Sequence, residues 1–481
     1  MIEWEQEKYS WERAGNVVWM TIDRSSKTSL KEQLITQLRT KILGGDLQAG
    51  EALPSTRQLS NDLQVSRNIV LEAYDQLTAE GYLEGRTGTG TFVAQGALLD
   101  RCEIALQPQA AETRDASPSE GVISFRSGIP ALDRFPRRKW ARLAQEVLAY
   151  TSDRNFGYDA PEGRPELRSA IAKYVYRARG VRCRPDQVIV TSGATQAITL
   201  VAKLCAGPGE SIILEDPITN DIQTIFASHG ARLVPLPVDD LGIDPSELML
   251  GKHRGSVYVT PSHQYPLGSI LPIPRRVQLI EYARRTGSYI VEDDYDSEFR
   301  YEGDPIPSMQ GLDPNVVIYL GTFSKILSPA LRIGYMILPE PLVERCRRLK
   351  WFTDLHTPSL EQLMLARFIE DGHLERHVRN MKKLYKRKRD FVRKRLKDSF
   401  GDRVIVRGDS TGLHLIAEFP NTVFAEPLLE RLYDAGVFVQ PASVHAFDRT
   451  KHMNRLIIGF GHLDEQEAAL GIDRLRRVLT P

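Results

Sequence analysis

The chain has 481 residues, 42% hydrophobic and 26% charged, a soluble globular composition too long for one ordinary domain. Its 63 Lys and Arg nearly cancel 62 Asp and Glu, so global charge names no partner and nucleic-acid binding must be argued locally. No uncharged apolar run approaches the roughly 18–20 residues of a membrane span, MIEWEQEKYSWER lacks signal-peptide character, and Cys102, Cys183, Cys205 and Cys346 form no CxxC pair. A cytoplasmic protein follows, with no disulfide framework, no metal site and no membrane segment.

Residues 1–23 read as an N-terminal extension, with a strand over 17–22 and Trp4, Trp11 and Trp19 available to pack on a neighbouring domain. A helix is expected over 28–44, where Leu30, Leu34, Ile35, Leu38, Ile42 and Leu43 recur at helical spacing before Gly44-Gly45. Ser55 caps a short helix carrying Leu59 and Leu63. After the turn Gln64-Val65, Ser66 caps a helix with Ile69, Val70, Ala73, Tyr74 and Leu77 on one face, ending at Gly81. Residues 82–84 and 91–93 alternate like strands around the glycine-rich tip 85–90. Two short helices with a tight turn, then a hairpin, make a winged helix-turn-helix over 24–95.

The start of the second helix in that motif meets base edges. Here it offers Ser66, Arg67 and Asn68, of which Arg suits guanine and Asn adenine. Arg57 on the preceding helix is placed for a phosphate, and Arg86 with Gly88 of the wing for the minor groove. Residues 24–95 hold 8 Lys/Arg against 8 Asp/Glu, a balance that also suits a small protein-interaction domain. The run LPSTRQLSNDLQVSRNIVLEAYDQLTAEGYLEGRTGTGTFV, however, closely resembles the GntR-type winged-helix signature. That resemblance implies operator DNA as partner and bacterial transcriptional regulation.

Residues 96–122 are rich in Ala, Gln, Pro, Ser and Glu after Leu106 and read as a linker. From 123 to 481, strand-like runs (VIVT, SIILEDP, SVYVTPSH, SYIVEDDYD, VVIYLGTFSK) alternate with helical segments. A mostly parallel α/β sheet covered by helices follows, with ligands at the carboxyl ends of its strands. Three polar clusters stand at such ends. Ser192-Gly193-Ala194-Thr195 opens a helix and suits a phosphate. Asp293 and Tyr295 offer a carboxylate and a phenol to a ring. Thr322, Ser324 and Lys325 precede Arg332 by a few residues, a lysine among hydroxyls and a cation that fits pyridoxal 5'-phosphate.

This block resembles fold-type I, class I aminotransferases, and the resemblance implies residue roles. Lys325 takes the place of the Schiff-base lysine, Asp293 of the pyridine-nitrogen partner, and Tyr295 of the ring-hydroxyl partner. Ser192, Gly193, Ala194, Thr322 and Arg332 match the phosphate cup, and Tyr158 in YDAPEG the tyrosine that reaches the opposite subunit's phosphate. Arg455 in NRLIIGFG stands for the arginine that clamps a substrate carboxylate. Two positions depart from the pattern. Tyr265-Pro266-Leu267-Gly268 replaces Asn-Pro-x-Gly, leaving His263 or Gln264 for the Asn contact, and Thr219 replaces the aromatic that stacks on the ring.

A GntR-like winged helix joined to an aminotransferase-like domain resembles the MocR/GabR regulators, as do TPSHQYPLG, VEDDYDSEFRY and GTFSKILSPALRIGYM. The resemblance implies a head-to-tail homodimer with swapped winged helices. It implies a regulator that senses an amino compound (of the GABA, D-alanine or taurine class) or PLP itself through the aldimine at Lys325. The alternative is a PLP-dependent aminotransferase with an appended DNA-binding module. Finally, 373–397 reads as a long helix whose stretch 382–397 holds ten Lys/Arg and one acid, Asp390. It is either a solvated face or a track for the DNA backbone, with Lys386, Arg387 and Arg389 as its probes.

Overall fold

The computed structural model describes residues 12–13, 16–17, 20–86, 88–97, 119, 121–251 and 253–480. Trp4, Trp11, Trp19 and nearly all of the expected linker lie outside them. The chain divides into two compact units, 1–114 and 115–481.

The first unit is built on three helices, α1 (Leu30–Leu43), α2 (Thr56–Asp62) and α3 (Arg67–Ala79). Each starts at a serine, Ser29, Ser55 or Ser66, whose side chain accepts from a backbone N–H two or three residues into the helix. Leu34, Leu38, Ile42, Leu59, Val70, Ala73, Tyr74 and Leu77 meet in one buried cluster. Leu83 and Val93 close it from the antiparallel hairpin Leu83–Arg86 and Gly90–Val93. Of the expected strand over 17–22, Val17 pairs in the short strand Asn16–Val17, residues 18 and 19 lie outside the described residues, and 20–22 carry no strand assignment. Gln33 and Gln37 of α1 bond the backbone of Thr21 and Asp23 instead, which satisfies polar groups that a sheet would have used.

The second unit carries an eight-stranded sheet. Its order is Val188–Thr191, Gly334–Ile337, Val317–Thr322, Ile290–Asp294, Ser256–Val259, Ser211–Asp216, Arg232–Asp239 and Gly242–Ile243. The five strands from Val317–Thr322 to Arg232–Asp239 pair in parallel. Gly334–Ile337 runs antiparallel between its two neighbours. Strands buried on both faces need apolar residues throughout, and Val188–Thr191, Ser256–Val259 and Val317–Thr322 are buried at every position. Two clusters, one around Ile171 and Phe323 and one around Val201 and Phe226, make up much of the core that packs on it.

A second, antiparallel sheet (Ile405–Arg407, His414–Glu418, Arg455–Gly459, Gln440–Pro441) packs with the helix His373–Phe400. Among the described residues no helix is long and apolar enough to cross a membrane.

Candidate cofactor site and DNA-reading surface

Strand register brings the three polar clusters to one end of the large sheet. Thr322 pairs with Gly334, and Gly334 in turn with Thr191, so the Ser192-Gly193 turn stands two strands from Thr322. Asp293 lies on the strand beside, opposite Leu320. A cavity of about 430 Å³ opens there, lined among others by Lys325, Asp293, Tyr295, Thr219 and Asp296.

Lys325 donates from Nζ to the Gly128 carbonyl at 2.7 Å. Burial lowers its pKa below the usual lysine range, helped by the charges of Arg126 and Arg332 and opposed by Asp296 and Asp293. Gly128 has φ +76°, and a Cβ there would lie 2.8 Å from the ammonium. Asp293 Oδ2 accepts from the Tyr258 hydroxyl at 2.6 Å. Burial pushes its pKa up to about 6 against that bond. A buried carboxylate in this state gains from a cationic N–H, the donor that a protonated pyridine provides.

Ser192, Gly193 and Ala194 form the turn into the helix Ala194–Cys205, whose first N–H groups have no partner within the helix. Arg332 Nη2 donates to the Ser192 carbonyl at 2.9 Å. Gly193 has φ +84°, and a Cβ there would meet the same guanidinium at 2.9 Å. Thr322 Oγ1 bonds Ser324 Oγ at 3.1 Å. Helix-start amides, a guanidinium and two hydroxyls form an anion-binding donor set. None of these residues is among those that line the Lys325 cavity, but they stand at the same end of the sheet and the Arg332 charge reaches Lys325, so together with Lys325 and Asp293 they fit pyridoxal phosphate.

Other expected residues are placed differently. His263 does not line the cavity: its Nδ1 lies 3.0 Å from Asp296 Oδ2, and its ring lies 4.8 Å from that of His414. The Tyr295 hydroxyl donates to the His263 carbonyl at 2.9 Å, so His263 braces Tyr295 from behind. Gln264 is spent on Pro217, Tyr265 and Leu267 backbone. His263, Asp296 and His414 hold donor atoms within 4.8 Å of one another, but their hydrogen bonds already engage one another and the Pro266 carbonyl. Burial, with His263 nearby, drives the His414 pKa down to about 3.

Tyr158 is 86% exposed and meets the ring of His356 edge-on. Arg455 faces a separate cavity of about 650 Å³, shared with Arg407 and His452. Cross-strand pairing with Glu418 explains this: Nε lies 3.4 Å from Glu418 Oε2, and Nη1 3.2 Å from His452 Nδ1. The expected meeting of Arg455 with Lys325 in one pocket therefore does not occur in this chain.

On the first unit, Arg57, Ser66, Arg67 and Asn68 are exposed together at the starts of α2 and α3. Arg67 Nε reaches Thr56 Oγ1 at 3.4 Å, which joins the two helices across the turn. Gly88 is exposed at the hairpin tip with φ +78°. Arg86 lies on the strand rather than the tip, paired with Glu84 at 2.6 Å and stacked 4.6 Å from the Phe92 centroid. On the basic helix, Lys386 and Arg387 are exposed, but Arg389 is 2% exposed. Arg389 forms ion pairs with Asp390 and Glu302 and donates to the Asp409 carbonyl over the Tyr301 ring, so it belongs to the core rather than to a surface track.

Several residues that line the cavity went unread in the sequence: Arg126, Gly128, Asp221, Asp296 and His445. The turn FRSGIP, a basic residue and a glycine just after a buried Phe, is the signal for the first two.

Comparison with known proteins fits both units. Residues 30–93 match the family "Bacterial regulatory proteins, gntR family", and residues 120–475 match "Aminotransferase class I and II". The chain is 36% identical over 471 residues to a probable rhizopine catabolism regulatory protein, MocR, of Rhizobium meliloti, covering 95% of each. It is 32% identical to the pyridoxine biosynthesis transcriptional regulator PdxR of Corynebacterium glutamicum, covering 94% of this chain and 95% of that one. A crystal structure of Pyrococcus horikoshii kynurenine aminotransferase in complex with PMP superposes with a TM-score of 0.70 at 28% identity. That match covers 75% of this chain and 91% of the enzyme. The large unit is thus a fold-type I, pyridoxal-phosphate-binding domain, and the chain belongs to the MocR/GabR family of transcriptional regulators, a GntR winged helix joined to an aminotransferase-like domain.

Proposed function

We propose that this regulator adjusts operator binding by its winged helix according to what occupies the Lys325 cavity, and that the occupant read out is a small amino compound. The observation that carries the proposal is the buried Lys325 Nζ in one cavity with Asp293 and Tyr295. When bound, pyridoxal phosphate supplies an electrophilic carbonyl and an electron-withdrawing ring.

In this reading Lys325 is the amine that holds the cofactor, and its lowered pKa keeps a larger neutral, nucleophilic fraction. Asp293 holds the proton of the pyridine nitrogen, and Tyr295, steadied by His263 and Asp296, meets the ring hydroxyl. Ser192, Gly193, Ala194, Thr322 and Arg332 receive the phosphate. A second copy in head-to-tail pairing contributes its Tyr158, and the exposure of Tyr150, Phe156, Tyr158 and Phe352 supports such pairing. Arg57, Ser66, Arg67, Asn68, Arg86 and Gly88 serve the operator. An occupant shifts the regulator only by its affinity difference between two states.

Lys325→Ala tests this reading. It should bind operator DNA as wild type does and lose all response to pyridoxal phosphate and amines. A variant that still responds would overturn it. A second reading, in which pyridoxal phosphate itself is the signal, is favoured by the likeness to PdxR and by Thr219 in place of a stacking aromatic. An operator shift with pyridoxal phosphate alone favours it. Multiple turnover with an amino donor and a keto acid would favour the enzyme alternative.

A further inference from the structure

We propose that Arg126, not Arg455, is the guanidinium that selects an anionic group on the amino compound taken at Lys325. The inference rests on the amine-sensing reading above and names the chemical class of its ligand: a primary amine that carries a carboxylate.

The segment Phe125–Ile129 is fixed at the cavity. Gly459 donates its N–H to the Phe125 carbonyl at 2.8 Å, and a Cβ on Gly459 would lie 2.7 Å from Ser127 Cα. Gly461 similarly lies against the Ile129 carbonyl. The glycine that ends the strand Arg455–Gly459 and a second one just beyond it thus let this backbone lie close against them. Every residue from Arg126 to Ile129 then lines the cavity. The Gly128 carbonyl takes the Lys325 ammonium at 2.7 Å, and Ser127 Oγ bonds the Tyr265 hydroxyl at 2.9 Å.

Arg126 is therefore two residues from the atom that meets the reactive amine, on a backbone held from both sides. Arg126 is exposed and lines the cavity. Its positive charge reaches both Lys325, where it adds to the lowering by burial, and Tyr265, where it opposes the rise that burial causes. Among the described residues, Lys325 and Arg126 are the lysine and arginine that line this cavity. Arg455 is held in the neighbouring cavity by Glu418, which also accepts from Arg407 Nε at 2.7 Å. A carboxylate joined to an amine by a short chain, with its nitrogen at Lys325, meets Arg126 without entering that second cavity. Guanidinium and carboxylate match as a planar two-bond pair, a geometry that an ammonium does not reproduce.

The test uses the full-length protein loaded with pyridoxal phosphate, with the cofactor's visible absorption as readout. Matched pairs are titrated: β-alanine against n-propylamine, 4-aminobutyrate against n-butylamine, alanine against isopropylamine. Wild type should prefer the acid in at least one pair. Arg126→Ala should cut that preference about 10–100-fold, the loss of one charge-assisted contact, and leave the bare amine within about twofold. Arg126→Lys should restore only part of it, and Arg455→Ala should leave it in place. A preference that survives in Arg126→Ala, or is lost in Arg455→Ala instead, overturns the inference while the amine-sensing reading stands. An equal weakening of acid and bare amine in Arg126→Ala assigns the residue a structural role and also overturns it. A wild type that responds to none of the six compounds removes the amine-sensing reading and this inference with it.

Discussion

The two units put their candidate functional side chains in opposite environments. At the start of α3, Ser66, Arg67 and Asn68 stand in water, and their position is set by a serine cap and the buried face of Val70, Ala73, Tyr74 and Leu77. At the end of the large sheet, Lys325, Asp293 and Tyr295 are withdrawn from water, and their charges are shifted by that withdrawal. An exposed reading head loses binding when a contact is removed, and little else. A buried site is under tension without its ligand, so the same kind of substitution changes stability and pKa as well.

The sharpest way to break this contrast is Asp293→Asn. Its pKa rises on folding from 3.8 to about 6, so the native state holds the proton more tightly than the unfolded chain. That cost is absent below pH 3.8, grows between 3.8 and about 6, and is complete above it. Asn keeps an acceptor for Tyr258 and removes the charge. The cofactor-free variant should therefore be more stable than wild type at pH 8, by roughly 2–3 kcal/mol, with the gain fading toward pH 4. It should also bind pyridoxal phosphate more than about 100-fold more weakly. Denaturant melts at several pH values check the first claim. Equal stability at pH 8 would show that the site is not under tension.

Gly193→Ala comes next. Its Cβ meets the Arg332 guanidinium in a left-handed backbone, which should weaken cofactor binding about tenfold and leave operator affinity unchanged. Arg67→Ala should weaken operator binding by about 1–3 kcal/mol with no change in cofactor absorbance. Arg86→Ala should cost less than Arg67→Ala, because Glu84 and Phe92 already hold Arg86 in the free protein. Reversing Lys386 and Arg387 should have the smallest effect, visible if at all as a shallower salt dependence of DNA binding. Arg389 is unsuitable for that test because its side chain is 2% exposed over the Tyr301 ring and donates to the Asp409 carbonyl, so its loss would disturb the fold.

The strand ends that carry Ser192, Asp293 and Thr322 were legible in the sequence because buried parallel strands leave long β-branched runs that stop at their polar ends. The helices of the first unit were legible from their serine caps. What was not legible depends on pairing between distant segments. Glu418 opposite Arg455 turns that arginine from the Lys325 cavity, and only the register of the antiparallel sheet reveals it. Arg389 lies in a basic run, yet Tyr301, Glu302 and Asp409 bury it. His263 is engaged by Asp296, 33 residues away, and only the fold reveals that approach. Arg126 sits in an unpatterned turn, and two glycines more than 300 residues away bring it to the site.

Lys325 as the point where cofactor joins protein is the claim on which sensing depends. The direct measurement is borohydride reduction of the full-length protein with pyridoxal phosphate, followed by peptide mass mapping. The expected result is one phosphopyridoxyl group per chain on the peptide that contains Lys325, and none in Lys325→Ala. Labelling spread over surface lysines, or unchanged labelling in the variant, would contradict the account.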